Sequence, residues 1–544
     1  MKEREVNLKV VSFCLFLIFL ILLARLFQLQ VFQGKENRLL ADSNRIQRIR
    51  LDAPRGLILD RHGEVLSSNE PQYSLKDKII PREEGLKLQV ENKDADLKIS
   101  FQREYQDGDV FGHVLGFLGE VTEEELSEKK FSLKGYPVAS WIGRSGLEKE
   151  YEEVLRGQAG SETVEVNTIG QVTRRMGRIL PKPGGSLTLA VDKSLQETAA
   201  KAMGDRKGAV IAENPLNGEI LLLYSSPSFD PNIFLEKDSQ GKVAKIVSDE
   251  ENQPLLNRAI SGIYPPGSTF KIITAVAGLE EGKITPETLI NDPGEIAVGS
   301  YKYTNWYFTQ YGRTEGEINL ARAITRSTDT FFYQVGERVG VEGLIKWVEK
   351  FNLDKVFGID LPAEIAGFIA TPEWKEANRG EKWFLGNTYH LAIGQGDVSL
   401  TPLGVNLMTA VVANGGKLCR PRMLRIGAEN TPYQAECQDL GIKKEYLEAI
   451  KKGMIGACST GGTAWPFFDF TPRVACKTGT AETGDGKTSH AWFTVFAPAC
   501  AEATAGKPAC QPEIVLTVLV EKGGEGSSIA APIAKEILKE FFKE

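Results

Sequence analysis

Residues 10–24 carry no charge, and residues 26–32 prolong the apolar run past a single arginine, Arg25. Nothing else in the chain restricts its fold as severely. Backbone N–H and C=O groups in hydrocarbon must satisfy one another, and a lone segment can do that only as a helix. A crossing needs about 20 residues, which the stretch 10–32 supplies if Arg25 extends its stem toward the headgroups. No small-x-small cleavage pattern follows, so the helix is expected to stay as an anchor rather than leave as a signal peptide. Lys2, Arg4 and Lys9 would then hold residues 1–9 inside, with everything beyond Phe32 folding on the far side of the membrane.

At 544 residues the chain is long enough for two or three domains. A net charge of -7 without a basic stripe excludes nucleic acid as a main partner. An exterior location also permits disulfides. Cys14 lies in the anchor, whereas Cys419, Cys437, Cys458, Cys476, Cys500 and Cys510 crowd the last quarter and could pair in many ways. The first expectation is Cys500 with Cys510, which would staple a hairpin between strand-like runs at 491–496 and 514–520. Cys419 with Cys437 comes next. Six reduced thiols remain the alternative, and zinc is disfavoured because C-x-x-C spacing is missing.

After the anchor, glycine-punctuated apolar pieces around Gly56 and Gly63 read as two short strands joined at residues 60–63. Thr122 with Glu125 three residues on is a capping box that opens a short helix. Residues 45–185 are expected to form an elongated β-rich pedestal, ahead of a second domain at 186–544. In that domain, residues 208–224 are apolar on both sides of an Asn-Pro-x-x-Gly turn and form the clearest hairpin. Helices are expected at 194–203, 268–279, 319–324, 329–336, up to Ala413, and at 530–542, with strands between 494 and 520, giving an α/β (α+β) class. The aromatic-rich stretch 301–311 is read as core packing, with substrate contact as the alternative.

Within the second domain, the turn Gly262-Ile263-Tyr264-Pro265-Pro266-Gly267 runs into Ser268-Thr269-Phe270-Lys271 at what reads as a helix start. Positions three apart share a helix face, so Lys271 can reach the Ser268 hydroxyl. Serine is a poor nucleophile until a base takes its proton, and a lysine serves if burial or a neighbouring cation keeps it partly neutral. Alone, the pair reads more readily as a capping serine and a solvated lysine. Two later stretches change that reading: Ser327-Thr328-Asp329 and Lys477-Thr478-Gly479-Thr480. Taken singly, these are a turn serine and an exposed strand end.

In this order, S-x-x-K, S-x-D and K-T-G resemble the penicillin-binding proteins and serine beta-lactamases. Ala53-Pro54-Arg55-Gly56-Leu57-Ile58-Leu59-Asp60-Arg61-His62-Gly63 is similar to the R-G-x-I-x-D-R-x-G signature of membrane-anchored class B penicillin-binding proteins. Trp141 with Gly143-Arg144-Ser145-Gly146-Leu147-Glu148 resembles a second element of that family, and Gly394-Gln395-Gly396 with Thr401-Pro402 resembles its G-Q-G motif. S-x-D is similar to the elongation-type members, the penicillin-binding protein 2 group.

The resemblance implies a penicillin-recognising serine transpeptidase domain, a five-stranded antiparallel sheet flanked by helices, lying outside the inner (cytoplasmic) membrane. It implies a peptidoglycan D,D-transpeptidase that acylates Ser268 with a stem peptide ending D-Ala-D-Ala and releases the terminal D-Ala. Lys271 would take the serine proton, Ser327 would relay protons to the leaving amine, and the backbone N–H groups of Ser268 and Thr480 would form the oxyanion hole. Lys477 would supply positive charge, the Thr478 and Thr480 hydroxyls would bind the terminal carboxylate, and Gly479 would leave room for substrate. Asp329 stands where many relatives carry Asn, and a carboxylate accepts hydrogen bonds without donating. It is expected either to pair with Lys271 or to hold the cleft together. Penicillins would be covalent inhibitors and a polytopic membrane glycosyltransferase the partner. No cofactor is implied, and no metal, since neither His nor Cys lies between Ser268 and Ser327, where some members bind zinc. A D,D-carboxypeptidase or beta-lactamase, a septal transpeptidase, and a non-catalytic scaffold for a glycosyltransferase remain the alternatives.

Overall fold

A computed structural model gives the fold and describes residues 2–75, 78–91, 97–127, 136, 140–167, 169, 172–426, 434–484, 486–499 and 511–543. The anchor is helix α1 (Lys2–Phe27), continued by one π-helical turn, Gln28–Phe32. Leu8–Phe32 is long and apolar enough to cross a membrane, and no part of its apolar window is buried. The Arg25 guanidinium donates to Gln28 Oε1 at 2.8 Å, so the charge within the run is satisfied locally.

The chain divides into two compact units. The first comprises Met1–Arg55, Asn69–Gln102 and Arg156–Gly184. There α2 (Gly34–Arg45) leads into β1 (Ile46–Leu51), which pairs antiparallel with β2 (Gly160–Val166), itself paired with β3 (Val172–Ile179). Arg45 of α2 meets Glu165 of β2 at 2.7 Å. β3 is exposed along nearly its whole length, and its Arg174, Arg175 and Arg178 charge an edge that would otherwise invite another strand.

The second unit comprises Gly56–Ser68, Arg103–Leu155 and Gly185–Glu544. Asp60 closes the expected turn by accepting the N–H groups of His62 and Glu64, both at 2.8 Å, and Thr122 and Glu125 form the expected capping box. The main sheet contains β4 (Gly208–Asn214), β5 (Glu219–Ser226), β6 (Ala475–Glu482), β7 (Ser489–Ala497) and β8 (Ile514–Val520). All pairings are antiparallel and the order is β5-β4-β8-β7-β6, which is the expected five-stranded sheet. β4 and β5 are the hairpin read from residues 208–224.

Around this sheet and the cleft at its edge lie α3 (Lys193–Met203), α4 (Lys271–Glu280), α5 (Trp306–Tyr311), α6 (Leu320–Arg326), α7 (Asp329–Lys350), α8 (Pro402–Ala413), α9 (Lys444–Ala457) and α10 (Ala531–Phe541). Strand side chains alternate between faces, and the two faces build two cores. Leu222, Phe493, Val495 and Leu516 pack with Leu195 and Met203 of α3 and Ile533 and Ile537 of α10. Ile211, Trp492, Phe496 and Leu519 belong to the core that holds Ile272 and Val276 of α4 and Leu403 and Leu407 of α8. Full burial of each such side chain contributes about 1.5–3 kcal/mol, and β8, covered on both faces, is buried at every position.

Three expectations need correction. α7 is two helical segments broken at Gly340 (φ 75°): the first is the helix expected from residue 329, a few residues longer than expected, and the second, up to Lys350, has no counterpart among the expected helices. The aromatic stretch is not core: α5 buries no residue, and Tyr301 and Tyr311 are 72% and 63% exposed. Within that stretch Tyr303 packs against Tyr333 and Tyr389, and Asn305 is buried against Asp292. Among the cysteines, Cys419–Cys437 forms as expected, but the second bridge is Cys458–Cys476, which no local hairpin announces. The six cysteines are therefore not all reduced thiols. Cys500 and Cys510 lie outside the described residues.

Candidate active site

Gly267–Phe270 is a single 3-10 turn that runs into α4, so Ser268 and Lys271 sit one turn apart at the head of a helix buried from Lys271 to Leu279. Gly267 adopts φ 53°, and its backbone lies so near β6 that a Cβ there would stand 2.8 Å from the Thr480 carbonyl oxygen. Its N–H donates to Gly394 O at 2.8 Å, and a Cβ on Gly394 would strike the Gly267 carbonyl. The G-Q-G motif is thus the bed of the serine turn, and Gln395 reaches Thr480 O at 3.4 Å.

The preceding residues are held one by one. Tyr264 exchanges backbone hydrogen bonds with Leu400, the Trp492 indole donates to Pro265 O at 2.9 Å, and the Thr269 hydroxyl donates to Pro266 O at 2.8 Å. The Tyr264 hydroxyl donates to Glu521 Oε1 at 2.7 Å, and Arg258 Nε donates to the same oxygen at 2.7 Å.

Lys271 Nζ is wholly buried and donates to Ser327 O (2.7 Å), Ser327 Oγ (3.1 Å) and Asp329 Oδ1 (2.7 Å). Lys477 Nζ, equally buried, donates to Ser327 Oγ and Thr478 O, both at 2.8 Å. Burial lowers the pKa of Lys271, and the Asp329 carboxylate opposes that shift. Lys477 is held well below the ordinary lysine value, first by burial and then by repulsion from Lys271. An unpaired buried ammonium costs several kcal/mol, so the carboxylate supports one charge, and its position gives that charge to Lys271. Among the described residues no hydrogen bond joins Ser268 Oγ to either lysine; the Lys271 amine is turned toward Ser327 and Asp329.

Ser327 ends α6 in the left-handed region, φ 56°, uncommon for a residue with a Cβ. The reversal directs its hydroxyl and carbonyl at Lys271 and starts α7 with Asp329, where a carboxylate suits the positive helix end. Asp329 Oδ2 also accepts the Trp306 N–H at 3.2 Å, and Asn305 Oδ1 accepts the Asp329 N–H at 3.3 Å.

On β6, the Thr478 and Thr463 hydroxyls meet at 2.9 Å. Gly479 is required by packing behind the strand, since a Cβ would press on Trp492 Cβ at 2.9 Å and Thr269 Cγ2 at 3.0 Å. Thr480 is exposed at the mouth. The structure therefore gathers Ser327 and Asp329 around Lys271, with Lys477 on the same hydroxyl, and sets Ser268 beside Thr480. Sequence reasoning missed Thr463, Asn305, Trp306, Arg258, Glu521 and the bridge at Cys476, the residue before Lys477. One signal was available for the bridge: both disulfides span the same separation, 18 residues.

The family model "Penicillin binding protein transpeptidase domain" matches residues 208–539, and "Penicillin-binding Protein dimerisation domain" matches 87–189. The peptidoglycan D,D-transpeptidase MrdA of Acinetobacter baumannii is 31% identical over 592 residues, spanning 95% of this chain and 84% of that protein. A solved complex between penicillin-binding protein PBP2 and MreC from Helicobacter pylori contains a chain of similar fold, with TM-score 0.78 and 28% identity over 92% of this chain and 99% of that one. A chain of a peptidoglycan synthase complex solved for its coordination of polymerization and crosslinking matches at TM-score 0.78 and 28% identity, over 99% of this chain and 98% of its own length.

Proposed function

Since this chain belongs to the elongation-type class B penicillin-binding proteins and so is a serine-type peptidoglycan D,D-transpeptidase, we propose that Ser268 is its nucleophile and that Lys271, Ser327, Asp329 and Lys477 carry its protons. The observation behind this is two buried lysines on one hydroxyl: Ser327 Oγ lies 3.1 Å from Lys271 Nζ and 2.8 Å from Lys477 Nζ, with Asp329 bonded to Lys271.

At rest the charge is on Lys271. A proton passes from Lys271 to Ser327 Oγ as Ser327 hands its own to Lys477, which leaves Lys271 neutral. Lys271 then takes the Ser268 proton as Oγ bonds to the carbonyl carbon of the D-Ala-D-Ala linkage. The N–H groups of Ser268 and Thr480 receive the charge that develops on the carbonyl oxygen. The proton returns through Ser327 to the leaving nitrogen, the C–N bond breaks, and D-Ala departs from the acyl-enzyme. In the second half an amine of a neighbouring stem bonds to the acyl carbon, gives up its proton by the same route, and Ser268 regains the one it lost. Thr478 and Thr480 hold the terminal carboxylate, with Thr463 orienting the Thr478 hydroxyl, and Lys477 adds charge.

In this reading residues 1–9 lie in the cytoplasm, 10–32 span the inner membrane, 45–185 form the pedestal and 186–544 the periplasmic catalytic domain. A polytopic glycosyltransferase supplies the glycan, a partnership favoured by the relative found in a complex that coordinates polymerization and crosslinking. The test is intact-mass analysis and peptide mapping after penicillin treatment, then turnover of a D-Ala-D-Ala stem peptide with and without an acceptor amine. Wild-type protein should carry the adduct on Ser268 and yield cross-linked product, and Ser268→Ala should abolish labelling while leaving the fold intact. Labelling retained in that variant would remove Ser268 from its role; hydrolysed product alone would make the enzyme a carboxypeptidase.

A further inference from the structure

Helix α5 packs four aromatic side chains, Trp306, Tyr307, Phe308 and Tyr311, into one short element and buries none of them. Apolar surface gathered this way at a polar cleft is characteristic of a binding face. The Trp306, Tyr307 and Tyr311 rings lean on one another with centroids 5.6, 6.3 and 5.7 Å apart. The Arg326 guanidinium supports them from one side, 5.3 Å from the Trp306 ring and 4.9 Å from that of Tyr307. Arg326 is itself fixed by Glu315 at 2.7 Å and Gly461 O at 3.1 Å, and the Trp306 indole by Arg326 O at 2.9 Å. The platform is thus rigid before anything binds, which lowers the entropy cost of using it.

Its position ties it to the chemistry in two directions. The Trp306 N–H bonds Asp329, and Arg326 directly precedes Ser327, so one side borders the proton relay. Through Gly461 it joins the loop carrying Thr463, whose hydroxyl meets that of Thr478, where the departing D-Ala is held. The attacking amine must occupy the place that the D-Ala amine vacates, because the relay that protonates one must deprotonate the other. The acylated stem, tethered to Ser268, can lie along β6, an edge strand open to an extended peptide. The aromatic wall is what remains for the second substrate.

We propose that Trp306, Tyr307 and Tyr311 form the acceptor site, binding the neighbouring stem peptide around its attacking amine. The proposal rests on Ser268 being the nucleophile. The chemistry suits an aliphatic primary amine: it arrives as a cation, which aromatic faces attract, and its methylene stem packs on Tyr311 and on the faces of Trp306 and Tyr307 turned away from Arg326. It then loses its proton to the relay.

The experiment uses the full-length enzyme and the double variant Tyr307→Ala/Tyr311→Ala, leaving in place Trp306, which bonds Asp329 and Arg326 O, and Arg326, which directly precedes Ser327. Two quantities are read: the rate of acylation by fluorescent penicillin, which needs no acceptor, and the partition of a D-Ala-D-Ala stem peptide between cross-linked and hydrolysed product as acceptor concentration rises. Acylation should be unchanged, while the acceptor concentration giving equal partition should rise about tenfold or more, in line with the loss of two aromatic contacts to an amine. Tyr307→Phe/Tyr311→Phe should restore partition, because the ring faces remain. Partition unchanged in the alanine variant would overturn the proposal, as would a fall in acylation and cross-linking by the same factor, which would give the rings a supporting role only. A wild-type enzyme without an adduct on Ser268 would instead refute the nucleophile assignment, and the absence of labelling separates the two failures.

Discussion

Lys271 stands on a helix and Lys477 on an edge strand, both with amines fully buried against the same Ser327 hydroxyl. Their surroundings differ in one respect that matters. Lys271 donates to a carboxylate, whereas Lys477, among the described residues, has a hydroxyl and a carbonyl. Burial depresses both amines; Asp329 counters it at Lys271, and the charge so placed repels a second one at Lys477. Equal burial therefore produces unlike partners, Lys271 being the better placed to hold a charge, and in the proposed scheme a single excess proton moves between them through Ser327. The lesson is that the carboxylate in the second motif, more than depth, sets which amine is the acid at rest.

The largest effect should come from breaking either end of this pair. Lys271→Ala and Lys477→Ala should each slow penicillin acylation by about 10²–10⁴-fold, the usual contribution of a positioned proton-transfer group. The arginine variant at Lys477 sharpens the comparison, because guanidinium keeps its charge but does not give up its proton at accessible pH. If Lys477 must be neutral at rest, Lys477→Arg should acylate no faster than Lys477→Ala, and it should melt below wild type because a second permanent charge is then buried beside Lys271. A rate restored by arginine would reduce Lys477 to a fixed charge and end the shared-proton scheme.

A subtler break is Asp329→Asn. The carboxylate raises Lys271 against the lowering by burial, so removing it leaves burial unopposed and Lys271 falls further. Acylation fails on the acid side when both lysines are protonated. The acid limb of its pH profile should therefore move to lower pH in the variant, while the plateau drops because the amine is no longer held toward Ser327. Stopped-flow acylation across pH checks this, and a limb displaced to higher pH would contradict the assignment of charge to Lys271.

How much of this was legible in the sequence follows from how local each interaction is. Ser268 and Lys271 are one helical turn apart, Lys477 to Thr480 are consecutive, and the β4-β5 hairpin closes within its own turn, so periodicity and turn chemistry suffice to find them. The partner of Asp329 stayed open between two readings, and Lys271 decides it across a separation of 58 residues. Tyr264 and Glu521 are 257 residues apart, and no pattern in either neighbourhood announces that they clamp the serine turn. The aromatic stretch misled for a different reason: composition records that Tyr307 and Tyr311 are apolar but not what lies over them, and here Tyr311 is exposed while a guanidinium, Arg326, covers Tyr307. The Cys458–Cys476 bridge escaped because it joins the end of a helix to a strand, where no hairpin spacing applies.

That bridge supplies the last and smallest way to separate the two lysines. α4 is held by a continuous core, buried from Lys271 to Leu279, whereas β6, among the described residues, is an edge strand paired with β7. Cys476, next to Lys477, fastens that strand to the end of α9. α9 in turn packs on α6, with the Thr325 hydroxyl donating to Gly453 O at 3.1 Å, so the bridge links the strand of Lys477 to the helix that ends at Ser327. The other disulfide, Cys419–Cys437, has the same separation of 18 residues but lies against Pro215 and Leu216 in the β4-β5 turn, at the opposite edge of the sheet. Loops of this size predict about 3 kcal/mol of stability from either bridge, so Cys458→Ser/Cys476→Ser and Cys419→Ser/Cys437→Ser should lose comparable amounts in chemical denaturation. Only the first should also slow acylation, by less than about tenfold because β6 keeps its ladder with β7 and positioning rather than chemistry is lost. Equal acylation rates in both variants would mean that β7 alone places Lys477, and that the bridge next to it stabilises the fold without serving the site.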